Sequence, residues 1–301
     1  MKDNFKMIQI SNKAVEVRMR NDQSQNSDFQ IIMTLGMNIK GIDCCGNHIL
    51  FYNGKFAQIY EVSQQNGPQL LGNFEAHSNV AALTQDSVVL STDNKLEICS
   101  YQGEVKHVLQ LTENEGEVIS IDARGRFMAV VTSNNMIKIF DIARRQYKQL
   151  GVTRKFEMKA NVPLGEIKDI SLNADGKKLC ILADQQPFPS IRIPDTKFYI
   201  YDVDMDNFME FQVANNRVPL EAFWDQNDKR LLAIETEYVK DLGKGTTLDQ
   251  TATEGQLKPG LDNIKLEEID NDFKNNQKKE DEFQGKSIET FFVTSDFKVK
   301  K

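Results

Sequence analysis

Phe127-Met128-Ala129-Val130-Val131-Thr132-Ser133-Asn134-Asn135-Met136-Ile137-Lys138-Ile139-Phe140-Asp141 holds the unit that decides the fold. Phe127 to Val131 is an unbroken apolar run. Such a run fits a strand covered on both faces. Ser133-Asn134-Asn135 is a polar turn. Met136–Asp141 then alternates around Lys138, which predicts a half-buried strand. Val118–Asp122 and the turn Ala123–Gly125 precede this pair. Tyr147–Leu150, a weaker apolar stretch, follows it and reads as an outer fourth strand.

The unit recurs on both sides. Upstream stand Ile39–Cys44, His48–Tyr52 and Phe56–Val62, then Val80–Leu83, Ser87–Ser91 and Lys95–Ser100. Downstream stand Ile167–Leu172, Lys177–Ala183 and Phe198–Val203, then Leu220–Trp224, Lys229–Glu235 and Ile288–Thr294. Outer strands are expected at Gln69–Phe74, Val105–Leu111 and Phe208–Val213. A partial unit, Lys6–Ile10 and Ala14–Met19, comes before them all. Equivalent first-strand positions, Ile42, Ala82, Ile121, Ile170 and Phe223, lie 40, 39, 49 and 53 residues apart. Four strands on a base period of about 40 residues predict an all-β chain, a WD40-type β-propeller.

Details of the strands agree. Tyr60-Glu61, Phe140-Asp141 and Tyr201-Asp202 occupy the place of the Trp-Asp dipeptide, with the ring expected between sheets and the acid at a turn. The upstream Gly-His is missing, so the blades are divergent. Asn53-Gly54 predicts a type I′ hairpin, and Asp175-Gly176 a tight turn.

Two segments break the period. Residues 184–196 carry Pro187, Pro189 and Pro194 and are expected to form a loop, because proline cannot donate to a ladder. Residues 240–286 carry 8 Lys and 11 Asp or Glu with few apolar residues, and are expected to be disordered. Ile269 and Phe273 stand at i, i+4 there and allow a short induced helix. The expected domain is a single propeller over 1–301 with these two insertions. Without 240–286, 254 residues remain, enough for six to seven blades of about 42 residues. The propeller is expected to be incomplete at its ends, with exposed strand edges.

Composition removes several function classes. The 301 residues carry a net charge of −7 and a pI near 5.2, which argues against a nucleic-acid partner. No apolar window is long enough to span a bilayer, and the N-terminus lacks a secretory apolar core. Cys44, Cys45, Cys99 and Cys180 lack CxxC spacing and read as reduced core residues. His48, His77 and His107 lack neighbours at metal-ligand spacing. G-x-S-x-G, P-loop and G-x-G-x-x-G motifs are absent. Asp43 and Asp122 end first strands, where a carboxylate pair is conceivable, but turn capping is the expected role. Trp224 is expected in the core between blades. Phe291 and Phe292 must face opposite sides of their strand. No catalytic, cofactor-binding or metal-binding residue is assigned, and neither a cofactor nor a small-molecule substrate is expected.

One block is more particular. Trp224-Asp225-Gln226-Asn227-Asp228-Lys229-Arg230-Leu231 leads through Glu235 into the polar insertion, and Ile288–Thr294 with Phe291-Phe292 follows. This resembles the WD-repeat subunits of intraflagellar transport complex A, closest to the second propeller of the large subunit. That family pairs W-D-x-x-[DE]-x-[KR]-L with a polar insertion and an FF strand. Gly116–Ile121 and Ile137–Ile142 are similar in register. The resemblance spans Ile39 to Phe297.

It implies a non-enzymatic scaffold in retrograde ciliary transport and cilium assembly, located in cytoplasm and cilium (axoneme, basal body). The implied partners are the other complex A subunits, without membrane insertion. The family places helical repeats after two propellers. This chain matches most of the second propeller only, so a fragment, a split gene product or an incomplete gene model is the expectation. The competing expectation is a generic WD-type scaffold in a vesicle coat, ubiquitin ligase adaptor or cytoskeletal assembly, because fold alone does not give function.

Overall fold

The computed structural model describes residues 5–19, 29–143, 147–157, 164–188, 191–225, 227–239, 285–293 and 299–300. Period-2 patterning becomes antiparallel ladders throughout. The first blade pairs β1 (Phe5–Ser11), β2 (Ala14–Met19) and β3 (Phe29–Thr34). The second holds β4 (Gly41–Cys45), β5 (His48–Tyr52), β6 (Phe56–Ser63) and β7 (Gly67–Glu75). The third holds β8 (Ala81–Leu83), β9 (Val88–Thr92), β10 (Lys95–Cys99) and β11 (Val105–Gln110). The fourth holds β12 (Val118–Arg124), β13 (Phe127–Thr132), β14 (Met136–Asp141) and β15 (Lys148–Lys155). The fifth holds β16 (Leu164–Leu172), β17 (Lys178–Phe188), β18 (Ile191–Pro194), β19 (Lys197–Asp202) and β20 (Asn207–Gln212). The sixth holds β21 (Arg217–Trp224), β22 (Leu231–Tyr238), β23 (Lys286–Val293) and β24 (Val299–Lys300). The six sheets are the blades of a propeller. The sequence reading assigned neither β3, which at six residues is as long as β2, nor the two-residue β24.

The apolar core sits between blades. Phe5, Val15 and Val17 of the first pack on Ile49 and Phe51 of the second. Leu50 and Ile59 meet Leu83 and Val88. Leu96 and Ile98 meet Met128 and Val130. Ile137 and Ile139 meet Leu179 and Ile181. Leu182 and Ile200 meet Leu232 and Ile234. Each fully buried aliphatic side chain contributes about 1.5–3 kcal/mol. Two-sided burial of β5, β9 and β13 therefore explains the unbroken apolar runs.

Several expectations need correction. β14 is not half-buried: Ile137 to Phe140 are all inside. Lys138 is tolerated because its ammonium meets the Glu115 carboxylate at 2.6 Å, from a single 3-10 turn at Glu113–Glu115. Burial raises the Glu115 carboxyl, but Lys138 and the Thr112 backbone N–H outweigh this and hold it below its ordinary value. Asn53-Gly54 is not a type I′ pair, since only Gly54 takes positive φ, at 88°. Asn53 instead accepts the N–H groups of Lys55 and Phe56 through its side chain at 2.9 and 2.8 Å. Within 184–196, strands replace the expected loop: β17 runs on to Phe188 and β18 folds back on it, pairing Asp184 with Pro194 and Phe188 with Ile191.

Two of the three aromatic-acid pairs behave as read, while Tyr60 of the third is only half-buried. Phe140 and Tyr201 are buried. Asp141 accepts the Ala143 N–H at 3.1 Å, and Asp202 that of Met205 at 2.8 Å. Lys286, expected inside the long insertion, opens β23, whose pairing with β22 joins the strands on either side of that insertion. Residues 240–284, with the expected disorder and the Ile269–Phe273 helix, lie outside the described residues. Arg217 is buried beside this junction, donating to Thr236 Oγ1 at 2.8 Å and to the Gly285 carbonyl at 2.7 Å.

Candidate functional site

The first strand of each blade from the second to the sixth reaches the centre. Residues of β4, β12, β16 and β21, with the start of β8 and with Met7 of β1, line one channel of about 540 Å³. Three aspartates there clasp one blade to the next. Asp43 accepts the Leu83 N–H at 2.7 Å, and Asp122 that of Leu172 at 2.7 Å. Asp169 accepts the Ala222 N–H at 3.1 Å. Each bond satisfies an inner-strand donor that faces away from its own ladder. Asp43 also takes the Cys44 N–H at 2.8 Å. The expected turn-capping role for Asp43 and Asp122 is therefore corrected: both bind the inner strand of the next blade.

Asp169 and Glu221 were missed from sequence. The sequence carries no mark of them; only the structure shows an extra residue in the first strand just before Ser120, Asp169 and Glu221. Those three positions thus correspond in successive blades. Burial, opposed by the Ala222 N–H and reinforced by the charges of Asp122 and Glu221, pushes the Asp169 carboxyl up to about 7. Arg124 stands 3.6 Å from Asp122 and is the one basic side chain among the described lining residues.

This channel brings together carboxylates, a guanidinium and the rings of Tyr52 and Phe223. The histidines lie elsewhere. His48 opens β5 and packs against Tyr101, ring centroids 5.0 Å apart. His77 is exposed in a loop, and His107 on the outer strand β11 meets the Tyr147 ring. Among the described residues, no group of three or more His, Cys, Asp or Glu side chains is placed to hold a metal ion. The four cysteines are free thiols, with Cys44, Cys99 and Cys180 buried.

Trp224 lies in the core between the fifth and sixth blades, and its indole N–H donates to the Ser171 carbonyl at 2.9 Å. Phe291 points inward to Phe198, centroids 4.8 Å apart. Phe292 takes the opposite face, beneath the Arg230 guanidinium at 4.5 Å. Among the described residues no helix is long and apolar enough to cross a membrane.

Solved structures share the fold. The WD40 domain of Neurospora crassa Pan2 superposes with a TM-score of 0.53 at 10% identity, covering 79% of this chain and 72% of that one. Hsv2 of Kluyveromyces marxianus gives 0.52 at 11% identity over 78% and 76%. A Lactobacillus plantarum protein gives 0.53 at 12% over 79% and 77%. At such identities the likeness concerns the fold alone. A family model described as the IFT140 second beta-propeller matches residues 3–216. The match begins before Ile39 and stops short of the Trp224–Glu235 block, so the first five blades carry it. With most of its length inside that match, the chain belongs to the IFT140 second beta-propeller family.

Proposed function

We propose that this chain is a non-enzymatic scaffold of the intraflagellar transport A complex, serving retrograde ciliary transport and cilium assembly through contacts with other complex subunits. The family match over residues 3–216 carries this reading. The inner channel is consistent with it: three of its carboxylates hold backbone N–H groups of neighbouring blades, and the three histidines lie outside its lining. A propeller built this way offers rigid edges and loops to partners, and partner choice lies in those surfaces.

The test is imaging of the tagged 301-residue chain in ciliated cells. Accumulation at basal bodies and along axonemes is expected. A chain confined to the cell body, with normal levels and no ciliary signal, sinks the proposal.

A further inference from the structure

Five apolar cores join the six blades. Among the described residues no core joins the sixth blade to the first. Each of these two blades therefore has one face packed on a neighbour and one face open. The two open faces differ in charge.

On the first blade, strand pairing sets two cross-strand rows on the open face. One row is Ile8, Glu16 and Ile32, and the next is Lys6, Arg18 and Gln30. Ile8 and Ile32 are exposed. Glu16 is already engaged by Arg18 and Gln30, and Lys6 adds a second cation. The face is apolar with a net positive charge.

On the sixth blade the open rows pair Leu231 with Phe292, Ala233 with Thr290, Glu235 with Ile288 and Glu237 with Lys286. Ile288 is 69% exposed. Glu221 stands directly opposite Glu235 in the ladder, and like charges so placed repel. Lys286 reaches Glu235 at 3.2 Å. Arg230, over Phe292, is already paired with Asp228 at 3.0 Å. This face is apolar with a net negative charge, and a further cation would relieve the two facing glutamates.

One chain thus carries a surface and its electrostatic complement, which do not pack together within it. Such a pair makes a heterologous contact between copies. Opposite charge favours first face on sixth over either face on its own kind. We propose that the open face of the first blade docks on the open face of the sixth blade of a second copy of this chain, head to tail. Ile8 and Ile32 are then brought against Ile288 and Phe292, and Lys6 and Arg18 against Glu221 and Glu235. The contact extends the packing the chain already uses between its blades, as where Leu182 and Ile200 meet Leu232 and Ile234. Each face has only three or four short strands, so the interface is small, with a dissociation constant of about micromolar or weaker. The proposal stands independently of the ciliary reading, because it rests on the two blade faces and not on the family match.

The test is sedimentation of the full chain by analytical ultracentrifugation. The wild-type mass is expected to rise above the monomer as concentration increases from about 10 to 500 µM, and less so at high salt. Ile32→Asp sets an acid against the acidic sixth face, and Ile288→Lys a cation against the basic first face. Each variant alone is expected to stay monomeric. Mixed together they are expected to form a one-to-one dimer that grows no further, because each keeps the face the other has lost. Urea unfolding like that of the wild type checks that each variant is folded, and Ile8→Asp takes the place of Ile32→Asp if that variant is not. A wild type that stays monomeric over the whole range overturns the proposal, and leaves the faces to ring closure or to a different protein. Self-association that persists in either variant alone overturns it in favour of like faces pairing. Monomers alone in the mixture overturn it as well. Failure to enter cilia concerns the scaffold reading only and leaves this result untouched.

Discussion

The first and fourth blades use the same hairpin chemistry and meet different surroundings. The fourth lies between two neighbours, and β14 is buried on both faces, Lys138 included. The first packs on the second blade through Phe5, Val15, Val17 and Met33. Its other face leaves Ile8, Ile10 and Ile32 at 37%, 50% and 58% exposure. Glu16 and its neighbours Arg18 and Gln30 share that face, joined by hydrogen bonds of 2.5 and 2.7 Å. Alternating sequence therefore means different things in the two blades. In the first it divides a covered face from an open one. In the fourth it hides a charge that survives only with a buried partner.

The sharpest way to break this contrast is Lys138→Ala. Glu115 then stays buried without its cation, and a loss of about 3–5 kcal/mol is expected in urea unfolding. Because the Glu115 carboxyl is held low in the folded state, the pair's contribution is fully present above the ordinary carboxylate range and is lost as pH falls below that range through the lower folded-state value. The double change Lys138→Met with Glu115→Leu should recover most of the loss. If Lys138→Ala matches an exposed lysine substitution, the buried pair is not structural.

Trp224→Ala comes next, removing a core ring and its bond to Ser171. A loss of about 3–5 kcal/mol is expected. Unchanged melting with lost partner binding would mark it as an interface residue instead.

Asp169→Asn sharpens the contrast in the opposite sense. The raised folded-state pKa, about 7, means that protonation favours the folded state. Wild-type stability should therefore rise as pH falls from about 7 towards 4, and the charged form is penalised above that range. Asparagine keeps an acceptor for the Ala222 N–H without the charge. A gain of about 1–3 kcal/mol is expected near pH 8, shrinking towards pH 4. A pH-independent difference contradicts the assignment. The smallest effect is expected on the open face: Ile32→Ser should change stability by about 0.5 kcal/mol or less, read from the same unfolding curves.

The period and the strand types were legible because both-face burial writes unbroken apolar runs such as Phe127–Val131. Besides β3, β24 and the Asn53-Gly54 turn, three features were not. Lys138 looks like a solvent position, since its partner Glu115 comes from a separate 3-10 turn. The 184–196 insertion looks like a loop, since prolines are tolerated where β17 and β18 pair as an outlying hairpin. The clasping role of the inner-strand aspartates depends on register between blades. No single strand displays it: Asp43 and Asp122 reach Leu83 and Leu172 of the next blade, whereas Asp169, two register positions earlier on its strand than Asp122 on its own, reaches Ala222. Trp224 and the Phe291-Phe292 pair were placed correctly because strand periodicity alone fixes their faces.

The most direct test of the scaffold reading is affinity capture of the tagged chain from ciliated cells, with mass spectrometry of the bound proteins. Recovery of the other complex A subunits above an untagged control is the expected result. Recovery of a different assembly, or of chaperones alone, contradicts it.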